Sequence, residues 1–197
     1  MDAPPRLPRI VESSDPPSKP FCPWHSRQTL DIIGAMKFRI REAGLEDLAH
    51  ILHHRRAMFG EMGHSNADVL ERVDECSREY FLKALPNGTY KAWVAEDSDG
   101  CVVGGGGIVI NPWPGYPGEN RVERAWILNM YTEPEARRCG VARRLMDVMI
   151  EWCRERGFTK VYLHASSAGR PLYESMGFQP TNEMSLALRS QKLEVRS

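Results

Sequence analysis

"AWILNMYTEPEARRCGVARRLMDVMI", Ala125–Ile150, passes from an apolar run of strand length through a short polar turn into a helical rhythm. Val141, Leu145, Val148, Met149 and Trp152 fall on one helical face, so the segment reads as a buried strand, a tight turn and an amphipathic helix. At such a helix start the first N–H groups lack intrahelical acceptors and sit at the positive end of the helix dipole, which suits a phosphate. Gly140, and the small Ala142 after it, let the backbone approach a ligand, and Arg137 and Arg138 can add charge-assisted hydrogen bonds, with Arg143 and Arg144 in the first turn. The same arginines would equally solvate a plain helix start. Two familiar phosphate loops are excluded: no lysine follows Gly140 as a Walker A loop requires, and the glycine run 104–107 does not complete GxGxxG.

The flanking sequence extends this unit into a mixed α/β fold. "KFRIREA" alternates like a half-buried strand. "GLEDLAHILHHRRAMFGEMG" and Asp68 to Leu85 carry helical spacing, and "TYKAWVAE", the turn "DSDG" and "CVVGGGGIVI" form a hairpin. After the long helix, "KVYLHAS" reads as a strand, "AGRPLYESM" as a short helix closed by Gly177, and "EMSLAL" as a last strand. The predicted order is β-α-α-β-β-β-α-β-α-β. The "HHRR" run, His53 to Arg56, reads as an exposed helix face. Glycines 104 to 107 are costly in a strand, which leaves a bulge or a bare floor beneath a ligand as explanations. "NPWPGYPGEN", with Trp113 and Tyr116, reads as a stiff loop.

Residues 1–36 hold seven of the fourteen prolines and few periodic apolar positions, so they read as a flexible extension, followed by a domain over 37–190 and a short tail over 191–197. The 26 Lys and Arg balance 26 Asp and Glu, which argues against a protein held on nucleic acid or an anionic membrane by its overall field. Five cysteines in no CxxC or zinc-ligand spacing read as free thiols, with no metal site expected. No apolar run is long enough to span a bilayer, and the expected location is the cytoplasm.

The spacing Arg137-x-x-Gly140-x-Ala142 resembles the [QR]-x-x-G-x-[GA] pyrophosphate motif of the GCN5-related N-acetyltransferase (GNAT) superfamily. "YLHASSAGRPLYESMGF" resembles the family's fifth strand and the short helix after it. The resemblance covers about Lys37 to Leu188 and implies the GNAT fold, a mixed central sheet with splayed fourth and fifth strands flanked by helices. It also implies acetyl-CoA as cosubstrate. The backbone of Asn129, Met130, Tyr131 and Thr132 would hold the acetyl-pantetheine arm, and an N–H near Met130 would polarise the thioester carbonyl. Amides of Arg137, Arg138, Cys139, Gly140, Val141, Ala142 and Arg143 would cradle the pyrophosphate. Cys139 stands where the family often has a basic residue.

Tyr173 matches the tyrosine that protonates the departing thiolate, and Ser166 would contact the cofactor or cap the short helix. The glutamate that some members carry in the fourth strand is replaced by Trp126. Glu123 is the nearest carboxylate candidate for a base, with Glu61 and His64 as alternatives at the acceptor mouth. The loop around Trp113 would wall the acceptor site. The reading is direct transfer to a primary amine, a small molecule in preference to a protein or peptide, in a ternary complex; a noncatalytic CoA-binding domain is the alternative. A homodimer is one assembly this reading allows.

Overall fold

A computed structural model describes residues 37–115, 118 and 121–186. The expected N-terminal extension and C-terminal tail lie outside them. The chain divides into two compact units, one up to His164 and one from Ala165.

The first unit is built on one sheet in the order β1-β2-β3-β4-β5. Its strands are β1 (Phe38–Ala43), β2 (Tyr90–Asp97), β3 (Val102–Pro112), β4 (Glu123–Thr132) and β5 (Val161–Leu163). The first four are antiparallel neighbours, and β5 lies parallel to β4. A parallel pair requires a crossover, supplied here by helix α3 (Val141–Glu155). Helices α1 (Leu48–Glu61) and α2 (Ala67–Ala84) pack on the opposite face, where Leu48, Ile51, Leu52 and Phe81 meet Tyr90, Ala92 and Val94. On the α3 face Leu145, Met146 and Met149 are completely buried, and Trp152 meets Trp93 edge-on at 5.7 Å.

Strand β4 pairs with β5 only from Ala125 to Ile127, yet runs on to Thr132. Its last five residues therefore have β3 on one side and no β5 partner on the other. The β3–β4 register slips in the same place: Gly105 faces Tyr131 and Gly107 faces Leu128, so Asn129 and Met130 together oppose Gly106. This is a β-bulge, and Asn129 takes the left-handed conformation, φ 58°, that asparagine tolerates better than other side chains.

The glycine run has a packing cause. All four glycines are buried, and they alternate between the two faces. A methyl on Gly104 would press on Val141 at 3.0 Å, one on Gly105 on His54 at 3.0 Å, one on Gly106 on the Met130 thioether, and one on Gly107 on the Tyr90 hydroxyl. The bulge expected there exists, on the partner strand. The bare floor for a ligand does not: the space among His54, Tyr90, Trp93 and Asn129 amounts to about 10 Å³, at most one water.

In the second unit, α4 (Arg170–Ser175) follows a turn in which the Ser166 hydroxyl accepts from Gly169 N–H at 3.1 Å. Gly177, φ 91°, closes the helix, and Phe178 turns back against Tyr173 with ring centroids 6.0 Å apart. The strand expected at "EMSLAL" is not formed over its described part. Residues 181–186 have no regular structure, with Met184 and Leu186 almost fully exposed. Alternation makes a strand only where a neighbour completes its hydrogen-bond ladder, and no ladder includes these residues.

Candidate active site

The turn after β4 is held at both ends. Glu133 N–H donates to Val103 O at 2.9 Å, Ala136 N–H returns to Glu133 O at 2.9 Å, and Arg138 (φ 62°) and Gly140 (φ 85°) both adopt left-handed backbone. Gly140 sits at the N-cap of α3, and nothing lies within 4 Å of where its side chain would be. The left-handed turn and the open space are why glycine stands here. The N–H groups of Val141, Ala142 and the residues next to them belong to the first turn of the helix, which has no intrahelical acceptors to offer.

The Arg137 guanidinium is already engaged. Its Nε donates to Thr132 O at 3.0 Å and its Nη2 to the Glu61 carboxylate, which raises its pKa. Arg137 thus braces the turn against the end of β4 and the end of α1, leaving the backbone as its contribution to an anion site. Glu61 also accepts from the Tyr131 hydroxyl at 3.4 Å. Burial, with Glu133 and Glu61 nearby, pushes that phenol up to about 12. His64 is exposed beside Phe59.

The "HHRR" run is not the exposed face its sequence suggests. Only Arg56 is exposed; it pairs with Asp74. His54 is buried, and burial lowers its pKa. His53 Nε2 lies 2.9 Å from Glu133 Oε1, while His54 Nε2 lies 3.5 Å from the same oxygen without a hydrogen bond. Burial would raise the Glu133 pKa, but the histidines outweigh it and draw it from 4.5 to about 2. Arg55 turns inward: Nε donates to Ser77 Oγ at 2.9 Å and Nη1 to Asn129 Oδ1 at 2.5 Å. Asn129 Nδ2 in turn donates to the Tyr90 hydroxyl at 2.9 Å, whose pKa burial raises strongly. The Asn129 side chain is therefore committed to the core, and only its backbone faces the open edge of β4. Sequence reasoning missed this Arg55–Asn129–Tyr90 chain. Its signal was a lone asparagine within the apolar "WILNMYT", since a buried amide demands partners.

Beside this chain lies a cavity of about 530 Å³ between α1, α2 and the sheet. Arg55, Ser77, Tyr80, Phe81, Val109 and Leu128 line it, and its lining among the described residues includes no Asp, Glu or His. Its volume suits a small molecule. Trp126, on the same face of β4 as Leu128, stacks on Tyr162 at 5.4 Å. The Arg124 guanidinium lies 3.9 Å from the centre of the Trp113 ring and 4.9 Å from that of Tyr162. Four of the ten residues of the expected acceptor loop, 116, 117, 119 and 120, lie outside the described residues.

The structure brings Asn129, Met130, Tyr131 and Thr132 together with the turn 137–143 at one end of β4. Glu123 it separates from them. It lies seven residues back along the strand, roughly 20 Å away at strand rise, and its carboxylate is held by Arg121 at 2.7 Å. Tyr173 belongs to the second unit, where it is buried and its pKa is raised by that burial.

Residues 45–178 match the model of the acetyltransferase (GNAT) family. The uncharacterized N-acetyltransferase YjgM of Escherichia coli K12 is 31% identical over 149 residues, 71% of this chain and 81% of that protein. Human N-acetyltransferase 8 is 30% identical over 94 residues, 46% of this chain, so the match spans 39% of the human protein. A crystal structure of a predicted acetyltransferase with acetyl-CoA from Clostridium acetobutylicum superposes with a TM-score of 0.69 at 29% identity, covering 78% of this chain and 96% of that one.

Proposed function

The chain belongs to the GNAT family of acetyltransferases, and from that premise we propose that it moves an acetyl group from acetyl-CoA to the primary amine of a small molecule by direct transfer. One observation carries this reading: β4 runs five residues beyond its last β5 partner and is followed, after the turn 133–139, by a left-handed glycine at a helix start. A strand edge without a neighbour accepts an extended, amide-bearing ligand by strand-like hydrogen bonds. That is the character of the pantetheine arm, with the pyrophosphate on the amides of Arg137, Arg138, Cys139, Gly140, Val141, Ala142 and Arg143.

In this reading the bulge turns the backbone of Met130 toward the thioester, where its N–H supports the negative charge that develops on the carbonyl oxygen. Tyr173 supplies the proton taken up by the departing thiolate, a role for which a phenol kept protonated by burial is suited. Among the described residues the cavity lining offers no carboxylate or imidazole, so in this reading the ammonium proton of the acceptor leaves through water. Turnover should then rise with pH toward the pKa of the acceptor amine. The cavity's volume accommodates a small acceptor.

Thiol release from acetyl-CoA across a panel of small amines and peptides tests the enzyme. Silence with every amine, while CoA still binds, would leave a CoA-binding domain without transfer. Tyr173→Phe is expected to lower kcat roughly 100-fold with CoA affinity nearly unchanged. Gly140→Trp places bulk at the helix start and is expected to weaken CoA binding at least 10-fold; unchanged affinity in a folded variant would contradict the assignment.

A further inference from the structure

We infer that the acceptor amine also carries a carboxylate, seated on the guanidinium of Arg55 at the inner wall of the 530 Å³ cavity. The inference rests on the acetyl-transfer reading and narrows its substrate class. Arg55 is half-buried, yet its hydrogen bonds go to neutral partners, Ser77 Oγ and Asn129 Oδ1, and its flat side lies over the Phe59 ring at 4.7 Å. Two other half-buried arginines of this unit are answered by acid: Arg41 takes Asp47 at 2.7 Å and Glu96 at 2.6 Å, and Arg121 takes Glu123 at 2.7 Å.

The carboxylate nearest in charge to Arg55, Asp74, is paired with Arg56. A desolvated cation without a counter-charge is unfavourable, and an arriving anion relieves it. Burial accordingly lowers the Arg55 pKa, although a guanidinium remains charged. The hydrogen bonds to Ser77 and Asn129 hold the fork in place, and two of its five N–H groups are used there, so the group is prepared for a carboxylate. A second cation, Arg72, stands exposed at the cavity wall.

The rest of the wall fixes the remainder of the molecule. Val73, Tyr80, Phe81, Val109 and Leu128 are apolar or aromatic and call for a hydrocarbon body. A polyamine or aminoglycoside would bring further positive charge against Arg55 and Arg72. The acceptor class is thus an apolar amino acid or a close relative: amine, carboxylate and hydrocarbon body. The anchor is also tied to the reacting end of the strand, because Arg55 bonds the side chain of Asn129, which lies with its neighbour Met130 in the five residues of β4 beyond its β5 pairing.

The test compares phenylalanine and leucine with their carboxamides, and with spermidine and kanamycin, by thiol release from acetyl-CoA. The carboxylates should be preferred over the amides at least 10-fold in kcat/KM. In Arg55→Met, KM for phenylalanine should rise roughly 10- to 100-fold, the loss expected of a charge-assisted pair, while the amide changes less than about 3-fold. Arg72→Ala should weaken the carboxylates by a few-fold only. Because Arg55→Met also leaves Ser77 and Asn129 without their donor, the wild-type preference, which needs no variant, is the primary readout. A second readout is the Tm of the CoA-bound protein, which N-acetylphenylalanine should raise and its amide should not. Equal turnover of amides or a preference for polycations would overturn this inference and leave the acetyl-transfer reading intact. Silence toward every amine would overturn both.

Discussion

On the α3 side of the sheet, Leu145, Met146 and Met149 are completely buried, and the strand residues that alternate toward them, Trp93, Ala95, Val103, Ile108, Ala125 and Ile127, are apolar. On the α1/α2 side the buried residues include Asp47, His50, His54, Ser77, Glu96 and Asn129, the complete set of buried polar and charged groups among the described residues. Glu96 joins that side through Arg41, which also holds Asp47. One face anchors the helix that presents Gly140; the other holds fixed dipoles and charges beside a cavity. Non-directional burial is sufficient to fix a helix, whereas orienting a substrate needs groups with direction, each of which must be paired to be tolerated.

The comparison can be broken first on the apolar face. Leu145→Ala should lower stability by about 2–5 kcal/mol in chemical denaturation, since a leucine with no exposure leaves a cavity behind. Next comes the rigid polar face: a methyl at Gly107 meets the Tyr90 ring and the Lys91 carbonyl at 2.7 Å, and Gly107→Ala should cost about 1–3 kcal/mol. Glu133→Gln should cost about 1–2 kcal/mol at neutral pH. Because the folded carboxyl titrates near 2 instead of 4.5, the stability it contributes is present above about pH 4.5 and is lost as pH falls toward 2. The gap between wild type and Glu133→Gln should therefore close on acidification. The smallest effect is expected at Gly106→Ala, under about 1 kcal/mol. There the new methyl meets the flexible ends of Met130 and Met149, which can move aside. If Gly106→Ala proved as costly as Gly107→Ala, the contrast between a pliable and a rigid face would fail.

Much of the scaffold was legible in the sequence. The strand, turn and helix around Gly140, the hairpin at "DSDG" and the helix carrying Tyr173 follow from period, turn residues and caps, which act over a few positions. Less of the candidate site could be read that way. The "HHRR" run looked like a solvated helix face because nothing within a helical turn of it announces a partner. His53 reaches Glu133 across 80 positions and Arg55 reaches Asn129 across 74. The glycine run left both a bulge and a floor for a ligand open, because a missing side chain does not say what fills its place.

By itself the sequence determined the order of the elements, the helix start at Gly140 and the family resemblance, because each rests on residues whose spacing along the chain sets their spacing in space. Only the tertiary structure decided that Arg137 braces its own turn, that His53 reaches Glu133, and that Arg55 is half-buried on neutral hydrogen-bond partners. Those depend on which distant segments the sheet places face to face, and a charge becomes a recognition element only when that packing has removed its water and left it uncompensated.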